Sequence, residues 1–395
     1  MKMRHLIIWV ALATGACSTS VPPSVHSGPV AAASGCATPA VRIYFDFEGA
    51  PLSRCVINGE REFTLLVAPE HAPPINPSPW YAFRYEAGQG APVTVHLDYL
   101  VGDHRYAPKW SDGSTDRQLE VELSQDGKRA SLVLPVGNAR VSAQEVLDTR
   151  WHGRAMDRWQ SGGAKRTVLG RSLDGRPVEA LTLGSESAGR LVVLLGRQHP
   201  PEVSGAVAME AFVNRIVERL AEDPGLAERH RFLVVPLLNP DGVARGHWRA
   251  NRGGRDLNRD WGIFSQPETA AVKRWLDINS SRAAPMAMVD FHSTRSNLFY
   301  VQGEEETGPL EEAFLKGWLG DLEGALEGYD FTIERRNANP GSGTSKNWFH
   351  ETYDIPAYTY EVGDETDRAA TRAAARRFAD GFLAALDTMA TSDAN

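Results

Sequence analysis

The sequence predicts an α/β protein in two parts: an N-terminal antiparallel β-sandwich, then an α/β/α domain on a mixed, mostly parallel sheet. Three observations predict it. Between Val41 and Leu134, short apolar or alternating runs are punctuated by Pro, Gly and Asp, the texture of a small sandwich. After Asp148, apolar strand runs alternate with stretches of helical periodicity, as in a sheet linked by crossover helices. At 395 residues the chain is long enough for both.

Taken in order, the chain opens on Lys2 and Arg4, an apolar stretch from Leu6 to Ala13, and small residues up to Cys17. That is the layout of a bacterial secretion signal over residues 1–17, too short to span as an ordinary transmembrane helix. Its ending, Thr14-Gly-Ala-Cys17, is lipobox-like, with Thr where Leu is preferred. The expectation is an exported protein, periplasmic or an outer-membrane lipoprotein, with a possible membrane anchor through lipid on Cys17. Residues 18–38, rich in Ser, Pro, Ala, Val and Gly, read as a flexible tether. Cys36 and Cys55 stand 19 residues apart; in an oxidising compartment they can pair or remain two separate thiols, and sequence leaves both open.

Residues 39–150 carry the sandwich, with strands expected at Arg42–Phe47, Phe63–Val67, Trp80–Tyr85, Val93–Leu97 and Ala130–Leu134. Residues 151–390 carry the α/β domain. Thr167–Leu183 reads as a hairpin turning at Asp174-Gly175. Strands follow at Leu191–Leu195, Phe232–Leu238, Met286–Phe291 and Ala357–Val362, and helices at Val203–Ala221, Glu268–Asn279, Leu310–Glu327 and Arg368–Met389. The composition, 42% hydrophobic and 23% charged with a net charge of −8 and no long basic run, argues against nucleic acid as a partner.

The chemistry lies after the strand runs. His199 and Glu202 follow the first, at i and i+3; a helical turn there would put both on one face. His292 ends the third, 93 residues later. Two His and one Glu are a hydrolytic zinc set, which leaves a coordination position open. Glu361 falls inside a strand run, where a carboxylate is costly without a task or partner; it is the candidate general base. Arg249, Asn258 and Arg259 lie in a polar, glycine-rich segment with five arginines in 15 residues. Arginine binds carboxylates bidentately, and one near a metal can stabilise an oxyanion. A solvated basic loop is the plain alternative.

The run Asn239-Pro-Asp-Gly-Val-Ala-Arg-Gly-His-Trp-Arg249, continued by Asp256-Leu-Asn-Arg-Asp-Trp261, resembles the zinc carboxypeptidases of the carboxypeptidase A superfamily, most of all the cytosolic carboxypeptidase subfamily and its bacterial members. Trp80-Tyr-Ala-Phe-Arg84, Tyr106-Ala-Pro-Lys109 and Ser111-Asp-Gly113 look like that subfamily's β-sandwich. The resemblance implies one zinc ion per chain, held by His199, Glu202 and His292. It implies Glu361 as base and acid, Arg249 as the group that polarises the carbonyl, and Asn258 with Arg259 as the clasp on the substrate's terminal carboxylate. Asp256 would orient His199, and the partner would be a peptide or protein C-terminus. Digestive members place a tyrosine 22 residues before the catalytic Glu, where this chain has Asn339. Fifteen residues before it, at the offset that sets side-chain preference, stands Lys346, which predicts acidic terminal residues by charge complementarity. Two other readings stay open: a zinc amidase or deacylase acting on cell-wall peptides or acyl-amino acids, and a binding lipoprotein with an idle catalytic domain.

Overall fold

The computed structural model describes residues 35–72, 76–337 and 341–392. The leader, Cys17, nearly all of the tether and Asn339 lie outside the described residues. Among the described residues, no helix is long and apolar enough to cross a membrane.

Among the described residues, the N-terminal part holds eleven strands: β1 (Cys36–Ala37), β2 (Val41–Tyr44), β3 (Arg54–Gly59), β4 (Glu62–Val67), β5 (Ala82–Ala87), β6 (Val93–Tyr99), β7 (Lys109–Ser111), β8 (Asp116–Gln118), β9 (Glu122–Leu123), β10 (Arg129–Leu134) and β11 (Gly137–Ser142). They form two sheets, ordered β1-β2-β5-β11-β7-β8 and β3-β4-β6-β10-β9. Alternation drives the pairing: Val93, Val95, Leu97 and Tyr99 are buried along β6 while Thr94, His96 and Asp98 face outward. The inner faces meet in one core that joins Ile43, Phe83 and Val141 of the first sheet to Phe63, Val95 and Leu132 of the second. The sandwich departs from the antiparallel expectation at one place: β4 and β6 run parallel, Phe63 opposite Val95, because β5 between them in sequence belongs to the other sheet. Cys36 and Cys55 are joined by a disulfide, with Cα atoms 5.8 Å apart, which ties β1 of one sheet to β3 of the other.

The remainder runs α1 (Thr149–Ser161), β12 (Lys165–Arg171), β13 (Pro177–Gly184), β14 (Arg190–Gly196), α2 (Val203–Glu222), α3 (Pro224–Arg229), β15 (His230–Val235), α4 (Pro240–Arg245), α5 (Pro267–Asn279), β16 (Ala284–Thr294), β17 (Leu298–Val301), α6 (Pro309–Leu315), β18 (Thr332–Arg335), α7 (Ser345–Tyr353), β19 (Ala357–Gly363) and α8 (Arg368–Ser392). The sheet order is β12-β13-β15-β14-β16-β19-β17-β18. Its centre, β15-β14-β16-β19, is all parallel. These strands are apolar on both sides, as a sheet covered on both faces requires. In β14, Val192 and Leu194 enter the core with Phe212 of α2 and Phe382 of α8. Leu191, Val193 and Leu195 enter the opposite core with Leu276 of α5 and Phe349 of α7.

One helical expectation changes. The helix read over Leu310–Glu327 stops as α6 at Leu315, passes through a wide turn over Lys316–Gly320, and then breaks up. Gly317, Gly320, Gly324 and Gly328 explain this: glycine weakens helices, and Gly324 and Gly328 sit at φ of +70° and +66°. Helix α1, unread in the sequence, is started by Asp148, whose side chain accepts the N–H of Trp151.

Candidate active site

The parallel centre of the sheet places the site. In such sheets, functional groups collect beyond the carboxyl ends of the strands. Here the loop after β14 brings His199 and Glu202, the end of β16 brings His292, and β19 brings Glu361. His292 and Glu361 are direct neighbours in the parallel ladder.

His199 and Glu202 do not share a helical turn, contrary to the sequence expectation. Helix α2 begins only at Val203, and Glu202 is its capping position. Pro200 and Pro201 hold the preceding residues out of the helix. A tight turn closes instead, with Glu202 N–H donating to His199 C=O at 3.3 Å. The start of α2 then sits on β16. Ser293 Oγ accepts the Gly205 N–H at 2.8 Å, and a Cβ on Gly205 would lie 2.3 Å from the His292 carbonyl oxygen. Glycine permits this approach and so carries Glu202 to His292.

The three side chains converge while almost completely buried. Glu202 Oε1 lies 2.8 Å from His199 Nδ1, and Oε2 lies 2.7 Å from His292 Nδ1. One ligand atom from each falls within 4.8 Å of the others. The far nitrogens are occupied: His199 Nε2 meets Asp256 Oδ1 at 2.9 Å, and His292 Nε2 meets Asp290 Oδ2 at 2.8 Å. With the Nε2 protons given to carboxylates, the Nδ1 lone pairs face inward, as metal-binding imidazoles do. The donor set and its outer carboxylates therefore fit zinc.

Asp290 completes that outer layer. It stands two residues before His292 on the same strand face, fully buried, and also receives bonds from Gln198 (2.5 Å) and Ser345. The i, i+2 spacing of Asp290-Phe-His292 was its sequence signal. Asp256 bridges His199 to Arg249, whose Nε lies 2.6 Å from Oδ2. Burial opposes ionisation of Asp256, but His199 and Arg249 outweigh it and hold the carboxyl well below its usual range.

Around the ligands lies a cleft of about 880 Å³ that contains every site residue read from the sequence except Asp256. Glu361 lines it half-buried, and its Oε2 has no hydrogen-bond partner among the described residues. Burial, reinforced by Glu202 and Asp290 against the pull of the two histidines, pushes its carboxyl up to about 7. Asn258 Oδ1 accepts the Ser345 N–H at 2.9 Å, which turns its NH₂ toward His292 and the cleft. Arg259 is exposed, with one Nη on the Asn258 carbonyl at 2.7 Å. Lys346 is buried in the wall, its ammonium on Gln302 Oε1 (2.5 Å) and the carbonyls of Arg336 (3.2 Å) and Val301 (3.3 Å). Burial pulls it down to about 8, against the opposing influence of Glu306 and Glu311.

Sequence reasoning missed the sandwich's share. Ser78 and Arg105 line the same cleft, as do Arg295, Tyr300 and Arg336 from beyond β16. Arg105 Nε donates to Asp364 at 2.8 Å, and Lys109 pairs with Glu365 at 2.5 Å, so the sandwich fastens the loop that follows Glu361. Arg105 carried no local signal for this contact, because its partner lies 259 positions away.

Comparison with known proteins agrees with this geometry. Residues 156–389, more than half of the chain, match the M14 peptidase family, zinc carboxypeptidase. The chain belongs to that family. An uncharacterised protein of Zymomonas mobilis is 30% identical over 237 residues, 58% of this chain and 57% of that one. Cytosolic carboxypeptidase 2 of Danio rerio is 40% identical over 153 residues, 36% of this chain and 21% of that one. The chain thus spans less than two thirds of the length of these relatives. A metallo-carboxypeptidase structure from Burkholderia cenocepacia superposes with a TM-score of 0.73 at 19% identity, covering 89% of this chain and 99% of that one. One from Pseudomonas aeruginosa gives 0.70 at 20% identity, covering 88% and 99%. The shared fold therefore includes the sandwich as well as the zinc-site domain.

Proposed function

We propose that the protein is a zinc metallocarboxypeptidase that removes the C-terminal residue of peptides or proteins and binds one zinc ion per chain. The observation that carries this is the joint placement of the His199, Glu202 and His292 set, the Glu361 carboxylate, whose Oε2 has no partner among the described residues, and the donors of Arg249, Asn258 and Arg259 in one cleft. Zinc would be held by His199, Glu202 and His292, and when bound supplies a Lewis acid that polarises the scissile carbonyl and acidifies water. Asn258 Nδ2 and the Arg259 guanidinium hold the terminal carboxylate, which distinguishes a chain end from an internal bond. Glu361 takes a proton from the attacking water and returns it to the departing amine. Arg249 steadies the oxygen that becomes negative during attack.

An acidic terminal preference is part of this reading. The cleft carries Arg105, Arg295 and Arg336 in addition to Lys346 and the two functional arginines. The leader further suggests export with lipid on Cys17, and mass spectrometry of membrane-extracted protein tests that separately. The central experiment compares peptides with free and amidated C-termini, with and without chelator. A carboxypeptidase releases single residues from the free form only and stops when zinc is removed. Equal hydrolysis of the amidated form would turn the assignment to an amidase or deacylase.

A further inference from the structure

One carboxylate of the sandwich reaches the loop that carries Arg249. Glu70 follows β4 and is half-buried. Its Oε2 accepts the Trp248 N–H at 2.7 Å, and its Oε1 accepts those of Arg249 at 2.9 Å and Ala250 at 2.6 Å. Three consecutive backbone donors converging on one anion form a nest. A carboxylate is an acceptor with capacity for all three, and charge-assisted bonds are roughly twice as strong as neutral ones. These amides lie beyond α4, which ends at Arg245, so no helix or strand ladder supplies them with a partner.

The neighbouring contacts hold the same loop. Trp248 is buried in the sandwich core, and its ring N–H donates to the Trp80 carbonyl at 3.1 Å. The Trp80 ring N–H donates to Gly49 C=O at 2.8 Å, and Gly49 N–H returns to Ala244 C=O at 2.9 Å. Arg249 therefore sits one residue from an anchor in the core of the sandwich. Its guanidinium then reaches Asp256, and Asp256 reaches His199. A continuous chain runs from Glu70 through Arg249 and Asp256 to the metal site.

We propose that Glu70 is a positioning residue for the reaction: its carboxylate fixes the backbone of residues 248–250 and so aims the Arg249 guanidinium at the reacting carbonyl. The inference rests on the role given to Arg249 above. It assigns the sandwich a part in catalysis and makes the zinc-site domain dependent on it. Asp256 does not replace Glu70 here, because it constrains the tip of the Arg249 side chain and leaves its backbone free.

The test uses the full chain as Glu70→Gln, Glu70→Ala, Arg249→Ala and the double variant Glu70→Gln/Arg249→Ala. A small misplacement of a group that acts in the transition state costs up to ~10²-fold in rate. Glu70→Gln, nearly isosteric, should lower kcat ~10-fold and leave KM, zinc content and melting temperature close to wild type. Glu70→Ala should lower kcat further; if it does not accumulate, Glu70→Gln carries the test. In the Arg249→Ala background, Glu70→Gln should change kcat by less than ~2-fold, because the group it positions is gone. Three results would overturn the inference: wild-type kcat in Glu70→Gln, zinc content falling in step with activity, or losses that multiply in the double variant. Arg249→Ala alone tests the underlying reading, so wild-type kcat there refutes the role of Arg249 whatever Glu70 does.

Discussion

Asp256 holds His199: its Oδ1 lies 2.9 Å from the imidazole Nε2. Its other oxygen lies 2.6 Å from Arg249 Nε, and Oδ1 also accepts the Asn258 N–H at 2.9 Å. One carboxylate thus orients the imidazole of a proposed metal ligand, the proposed oxyanion group and one half of the proposed carboxylate clasp. Asp256→Asn preserves the shape but offers one acceptor oxygen where two are needed. Zinc affinity should fall ~10- to 100-fold, and kcat should fall at saturating zinc because Arg249 loses its partner. Zinc titration followed by kinetics on the loaded protein separates the two effects. Wild-type affinity would remove Asp256 from the support of His199.

Glu361→Gln should keep zinc and substrate binding and lose at least ~10²-fold in turnover. The change removes basicity and retains volume in a half-buried position beside His292. Near-normal turnover would point to another base. Glu365 is poorly placed for that, because its two oxygens already engage Lys109, Gln144 and the Ala107 N–H.

The sequence shows the metal site more clearly than its surroundings, for a physical reason. The proposed ligands and base lie within or just after β14, β16 and β19, and strand periodicity is a local signal, so His199, Glu202, His292 and Glu361 can be read from short windows. Asp290 had a local cue in its spacing from His292. Glu70 and Arg105 had none: each acts through a partner brought close only by the packing of the sandwich on the zinc-site domain. The strands were legible where burial on one or both faces imposes a pattern, as in β6 and β14. The short, exposed β8 and β9 carry no such pattern. Position 339, where the resemblance calls for a tyrosine, lies outside the described residues; Tyr300 lines the cleft in this structure.

Gly205 gives a prediction about how the metal set is assembled. A methyl group there would lie 2.3 Å from the His292 carbonyl oxygen and 2.7 Å from its carbon, both backbone atoms. Neither can give way by rotating a side chain. Gly205→Ala should therefore push the start of α2 off β16 and carry Glu202 away from His292. The expected cost is about 1–3 kcal/mol of stability from overpacking, with zinc affinity falling as well. Thermal melting and zinc titration read the two together. A variant as stable and as tightly metallated as wild type would show that α2 can shift without disturbing the ligand set.

The preference for acidic termini should depend on pH through Lys346. Its ammonium is held by Gln302 and two carbonyls at the wall of the cleft, and burial pulls it down to about 8. The folded pKa is depressed, so the side chain is cationic below about 8 and neutral above it. The ratio of kcat/KM for Glu-terminated over Leu-terminated peptides should therefore be largest at about pH 6–7 and decline through about pH 8. Lys346→Met removes the charge and keeps the stem. It should cut the ratio ~5- to 10-fold at neutral pH, as expected for one partly buried charge facing another, and should flatten its pH dependence, with Glu361 chemistry and zinc content unchanged. A preference that survives Lys346→Met would move the assignment to Arg295 or Arg336, which share the cleft. Equal cleavage of acidic and apolar ends by the wild type at every pH would sink the acidic reading and leave the carboxypeptidase assignment standing.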